Sequence, residues 1–336
     1  MNPICSKTYI TIFAAALVGA LVGQAAGQNI IASIPIPTTS IGQVAVNPAL
    51  NKIYAGGDPN ATGASLTVID GVTFTVVKTI APSAGVSVDM KRDNIWTGTL
   101  TAGDVEVYAG STNVEIFSTK VGSCPAAVSF DCRGRMWVAA ECGKKNDSVW
   151  VFETDNFKLI DGPIPSGGTI TQPPVANPRS GKLYVTSGGV SEEIDPTTFK
   201  VSNTTFGTVL AIDSATNRLY ATSGNNLQVI LGNSEAILKT VNLTYTPSAV
   251  GVNNALGHVY VANPAGNSID VYNQNGTKIT SFLLGANNQP GNLAVDSARG
   301  RLYVDVLNTG TSSWSLDVIE DLSSVRQCEF PGSCDY

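Results

Sequence analysis

From residue 28 onward, short apolar runs alternate with polar turns, and one arrangement keeps returning. An apolar strand ends in Asp or Asn, a turn follows, and an apolar residue then precedes an aromatic. Asp296-Ser-Ala-Arg-Gly-Arg-Leu-Tyr303 is the plainest copy. The aromatics are Tyr54, Trp96, Trp137, Tyr184, Tyr220, Tyr260 and Tyr303, spaced by roughly forty residues, as in repeat architectures that stack one supersecondary unit. The turn-formers are Asn47, Asp89, Asp131, Asn177, Asp213, Asn253 and Asp296. Their short side chains bond backbone amides two residues on, which starts a turn. Three residues before each aromatic stands Asn51, Asp93, Gly134, Gly181, Asn217, Gly257 or Gly300. These residue types tolerate the left-handed backbone that short hairpin loops require. The unit is therefore strand, turn, strand, and with no helical period outside the N-terminal stretch the chain reads as all-β.

The strand before each turn has its own rule. Its middle residue is Ala45, Ser87, Ser129, Ala211, Gly251 or Ala294, with Val175 the exception. Small residues at alternate positions suit an inner strand that meets its symmetry mates at a crowded axis. The motifs Lys182-Leu-Tyr-Val-Thr-Ser187, Val259-Tyr-Val-Ala-Asn263 and Val44-Ala-Val-Asn-Pro-Ala-Leu-Asn-Lys-Ile-Tyr54, the last followed by Leu66-Thr-Val-Ile-Asp70, resemble the YVTN-type β-propeller repeat. The resemblance covers nearly all the chain after residue 28. It implies the fold and leaves the function open, because such repeats occur in proteins with many roles. The second and third repeats depart from it, with Trp96 and Trp137 where the family usually has Tyr.

The expected architecture is a seven-bladed β-propeller of four-stranded blades, spanning residues 28–327. The last repeat shows three clear strands, near Leu293–Asp296, Arg301–Val306 and Leu316–Glu320. Asn29 to Pro37 alternates as a strand with no blade of its own, so the N-terminal strand is expected to close the ring there and leave no open edge. Residues 1–27 are expected to be a signal peptide: Lys7, an apolar run from Ile10 to Val22, then Ala25-Ala26-Gly27 before a mature Gln28. That run is too short for a secure membrane span. Residues 328–336 are expected to form a C-terminal tail.

Charge and chemistry narrow the reading mainly by exclusion. The chain is 14% charged with a net charge of −6 and no Lys/Arg cluster, so no nucleic-acid footprint is present and no membrane insertion is expected after signal cleavage. Export permits disulfides. In a propeller the connection entering a blade and the loop between its second and third strands share a face, so Cys124 and Cys142 are expected to pair. Cys328 and Cys334 flank Pro331-Gly332 and are expected to close a small ring, with Cys132 left over. The single histidine, His258, reads as an ordinary turn residue, and one histidine rules out multi-His metal sites. The residues at the expected axial mouth are Gln43, Gly85, Ala127, Pro173, Val209, Ala249 and Asn292, none of them acidic. No catalytic residue, metal or cofactor is assigned. Gln43, Asn287, Asn288, Gln289 and Asn292, with Trp314 in a neighbouring loop, gather near the junction of the last and first repeats and form the candidate recognition surface for a protein or a carbohydrate. The expectation is a secreted, periplasmic or cell-surface binding or scaffold module. The alternatives are a lactonase-like propeller enzyme or oxidoreductase subunit, and a structural surface-layer or matrix protein.

Overall fold

The computed structural model describes residues 28–321 except 38–39, 59–60, 62, 100–101, 123 and 141–146. The expected signal peptide and C-terminal tail lie outside the described residues. The first strand, β1 (Gln28–Pro35), precedes the repeats. The first repeat holds β2 (Ile41–Asn47), β3 (Lys52–Gly57), β4 (Leu66–Asp70) and β5 (Thr75–Ile80). The second holds β6 (Ala84–Asp89), β7 (Asn94–Thr99), β8 (Asp104–Ala109) and β9 (Val114–Lys120). Then come β10 (Pro125–Phe130), β11 (Arg135–Ala140), β12 (Ser148–Glu153) and β13 (Leu159–Pro165), followed by β14 (Val175–Ala176), β15 (Leu183–Ser187), β16 (Val190–Ile194) and β17 (Val201–Asn203). The next two sets are β18 (Thr208–Asp213), β19 (Arg218–Ser223), β20 (Asn226–Leu231) and β21 (Ile237–Asn242), and β22 (Val250–Asn253), β23 (His258–Asn263), β24 (Ser268–Asn273) and β25 (Lys278–Leu283). The last is β26 (Asn288–Asp296), β27 (Arg301–Asn308) and β28 (Ser313–Asp321).

The inner strands β2, β6, β10, β14, β18, β22 and β26 touch in that order, and β26 returns to β2, which closes a ring. The expectation of seven separate four-stranded blades is corrected by the hydrogen bonding. Among the described residues only five sheets are four-stranded; the strands of the first two repeats merge into one eight-stranded sheet through a parallel bridge between Gly57 of β3 and Ala84 of β6. The reason is steric. A Cβ on Gly56 would lie 2.6 Å from the Gly85 carbonyl carbon, so only side-chain-free residues let the two backbones come this close.

The repeat explains its own core. Tyr54, Trp96, Trp137, Tyr184, Tyr220, Tyr260 and Tyr303 are the largest fully buried side chains, each packed between neighbouring repeats. All seven turn Asp and Asn residues are completely buried. Their oxygens accept backbone N–H bonds, as Asp131 does from Arg133 and Arg135 at 2.9 and 3.0 Å, and Asn253 from Ala255 and Leu256 at 3.0 Å each. The seven residues three before the aromatics all have positive φ, from 49° at Asn51 to 90° at Gly134. A buried acceptor with its donors in place avoids the roughly 1–3 kcal/mol cost of an orphaned polar group, which is why the position recurs.

Closure runs as the alternation predicts: β1 pairs antiparallel with β28 from Gln28↔Asp321 to Pro35↔Ser315, and Ile34 and Ile36 enter the core beside Leu316 and Val318. Asp321 at the end of β28 is held from the neighbouring sheet, by His258 Nδ1 at 2.7 Å and the Tyr260 hydroxyl at 2.6 Å. His258 is thus more than a turn residue; it helps tie the closing sheet to the one before it. Cys124 and Cys132 sit at opposite ends of β10, about 20 Å apart at the usual strand rise, too far to bond each other. Both are nevertheless disulfide-bonded, which corrects the expectation that Cys132 is left over. Cys142, Cys328 and Cys334 lie outside the described residues, and no disulfide pair is seen among the described ones.

Candidate binding face at the axial mouth

Each inner strand begins at one face of the ring, where the second strand of its sheet ends. In six repeats the second strand runs three residues past the ring aromatic, as from Tyr260 to Asn263; in the last it runs five, from Tyr303 to Asn308. Two further residues raise that sheet by about 7 Å. Asn288, Gln289 and Pro290 pair with Asn308, Leu307 and Val306, and these pair in turn with Ser313, Trp314 and Ser315. The result is a wall on one side of the mouth. Its tip is a turn in which Asn308 Oδ1 accepts from the N–H groups of Gly310 and Thr311, both at 3.0 Å. Thr309, Gly310, Thr311, Ser312 and Ser313 are exposed there.

The six candidate residues divide into three groups. Gln43 and Asn292 line the axial cavity, but their amides are tied inward. Gln43 donates to the Val128 carbonyl at 2.9 Å and accepts from Val86 N–H at 3.1 Å, so one side chain links the first three repeats. Asn292 donates to the Ile41 carbonyl at 3.2 Å and to Asp305 Oδ2 at 3.3 Å. Asn287 and Asn288 brace the wall: the Asn287 carbonyl accepts from Thr309 N–H at 2.9 Å, and Asn288 accepts from the Asn308 amide at 2.8 Å. Asn287 itself is exposed. Gln289 is half-buried within β26. Trp314 lies in β28, half-buried against the core that includes Ile34, Ile36 and Ile41, and its carbonyl accepts from Ile36 N–H at 3.1 Å.

An ionisable group under this face escaped the sequence reading. Asp305 stands two residues after Tyr303, where the other repeats have Gly56, Gly98, Ala139, Thr186, Thr222 and Ala262. It is completely buried, and its Oδ1 has no hydrogen-bond partner. Burial pushes its carboxyl up to about 8, against the Asn292 side chain and the Asn292 and Gly291 N–H groups, which favour the charged form. Aligning the repeats on the residue two past the aromatic would have exposed the odd member. Asp305 is not among the residues that line the cavity, and no group of three or more His, Cys, Asp or Glu converges among the described residues.

No protein-family profile and no curated protein matches the sequence. Solved structures match the fold. The β-propeller domain of Cps50 (Swd1) from Myceliophteria thermophila superposes with a TM-score of 0.67 and 11% identity, over 87% of this chain and 99% of that one. A chain of the mitotic checkpoint complex superposes with a TM-score of 0.71 and 11% identity, over 94% and 98%. At such identity the likeness shows the fold alone: the chain is a β-propeller, and the YVTN repeat type has no matching profile behind it.

Proposed function

We propose that the protein is an exported binding or scaffold module that engages a protein or carbohydrate ligand at the raised wall. The observation that carries this reading is the extra height of β27 and β28, which lifts a hydroxyl- and amide-bearing tip above the rest of the mouth. Thr309, Thr311, Ser312, Ser313 and Asn287 present donors and acceptors in the open, the chemistry that sugars and peptide backbones match. The proposal of export rests on the N-terminal apolar run followed by small residues, and places the mature chain in the periplasm, at the cell surface or outside the cell.

The test is to replace residues 309–312 with a two-residue Asn-Gly turn and compare binding on a glycan array and in pull-downs from the native cell surface. The shortened protein should keep its melting temperature and lose the ligand. A ligand that binds both forms equally would place recognition elsewhere. For the cysteines we propose the Cys124–Cys142 bridge. A bonded Cys132 competes with the Cys328–Cys334 ring for its partner once the signal peptide, and Cys5 with it, is gone. Peptide mapping without reduction separates these pairings.

A further inference from the structure

The inner strands surround a partly open cavity of about 180 Å³ on the axis. Val86, Val128, Leu210, Val250 and Leu293 contribute most of its character, which is aliphatic. Gly251 helps to shape it, because a Cβ there would lie 2.1 Å from Leu293 Cδ1; the glycine leaves Leu293 its place against the neighbouring strand. Most polar side chains on the wall are tied to the protein's own backbone. Gln43 and Asn292 are bonded as described, Ser248 donates to the Pro290 carbonyl at 2.9 Å, and Ser87 Oγ accepts from Phe130 N–H at 3.2 Å. Ser129 and Gln172 line the cavity and make no side-chain hydrogen bond to another described residue.

Away from Ser129 and Gln172 such a wall is a poor host for water, which needs roughly two to four polar partners to be held in a protein interior. An apolar cavity of about 150 Å³ stays dry and accepts benzene or xenon. We infer that the axial cavity is a binding site for a small apolar molecule of about the size of benzene, with Ser129 and Gln172 free to meet one hydrogen-bonding head group. This goes beyond the wall: it is a different place, takes a different chemistry, and stands or falls separately.

Two measurements test it on the intact protein. Crystals pressurised with xenon should show an atom on the axis between Val128, Leu210 and Leu293. Benzene titrated against methyl-labelled protein should saturate at one molecule per chain and shift the valine and leucine methyls of the inner strands. Ala211→Leu, which fills the axis, should weaken benzene at least tenfold. Should that variant fail to fold, Ala294→Val fills another part of the wall, and the xenon position in the unaltered protein decides independently. Ordered water along the axis with no xenon there, or benzene binding that the filled variants leave unchanged, would overturn the inference.

Discussion

The eight-stranded sheet and the closing sheet solve the same problem in opposite ways. Both must find room for the residue two past the ring aromatic. In the eight-stranded sheet that residue is Gly56 or Gly98, and the space is filled by backbone: a Cβ on Gly98 would lie 2.1 Å from the Pro125 carbonyl oxygen. In the closing sheet it is Asp305, and the glycine stands on that sheet's own inner strand β26, where a Cβ on Gly291 would lie 2.3 Å from Asp305 Oδ1. At Gly56 the close approach continues into the Gly57–Ala84 bridge and the two repeats share a sheet, whereas past Gly98 the strand β10 keeps its own sheet; the closing sheet takes its fourth strand from the other end of the chain.

The largest effect should come from removing that strand. Deleting residues 28–37 takes Ile34 and Ile36 out of the core, each a loss of about 1.5–3 kcal/mol, and leaves β28 with an open edge. A fall of about 3–6 kcal/mol in urea unfolding is expected, and an unchanged melting curve would show that closure is dispensable. Next come the glycines. Gly98→Ala should cost about 1–3 kcal/mol by overpacking, because backbone cannot yield. Gly291→Ala should cost less, because a side chain can turn away; the reverse order would undo the comparison.

Asp305 sharpens the contrast through pH. Its carboxyl is raised to about 8 in the folded chain, so the protonated form is the one the fold prefers. Its contribution is fully present below the ordinary carboxylate range and is lost as pH rises through about 8, with a slope of at most about 1.4 kcal/mol per pH unit. Asp305→Asn should remove that slope, leaving stability near pH 4 little changed and raising it at pH 9. Parallel melts of both proteins that keep the same slope would show that Asp305 is not its source. The smallest effect is expected at His258. Removing its bond to Asp321 with His258→Ala should cost about 1 kcal/mol, since Tyr260 still holds the same oxygen. A cost above that of Gly98→Ala would mean that this contact, and not the β1 pairing alone, governs closure.

The turn chemistry was open to view in the chain, because it is local. An Asp or Asn that caps its own turn, and a left-handed residue three before an aromatic, act within a few positions and carry the same physical signal wherever they occur. The N-terminal strand was also legible, since a three-stranded last repeat and an unpartnered alternating segment point to one another. The candidate surface was less so. Gln43 and Asn292 look like free amides in the sequence, and nothing in their neighbourhood says that one reaches Val128, 85 residues on, and the other Ile41, 251 residues back.

What the sequence determined by itself is the all-β repeat, its turns, its buried aromatic row and the strand that closes it, all set by side-chain period and backbone conformation within a unit. What only the tertiary structure decided is how closely one unit approaches the next. That distance joined the first two repeats at Gly57 and Ala84 and turned amides at the mouth inward, Gln43 onto Val128 and Asn292 onto Ile41. The reason is physical: a glycine or an amide has the same local preferences in every repeat, and only the atoms brought opposite it across the ring settle whether it meets backbone, carboxylate or open space.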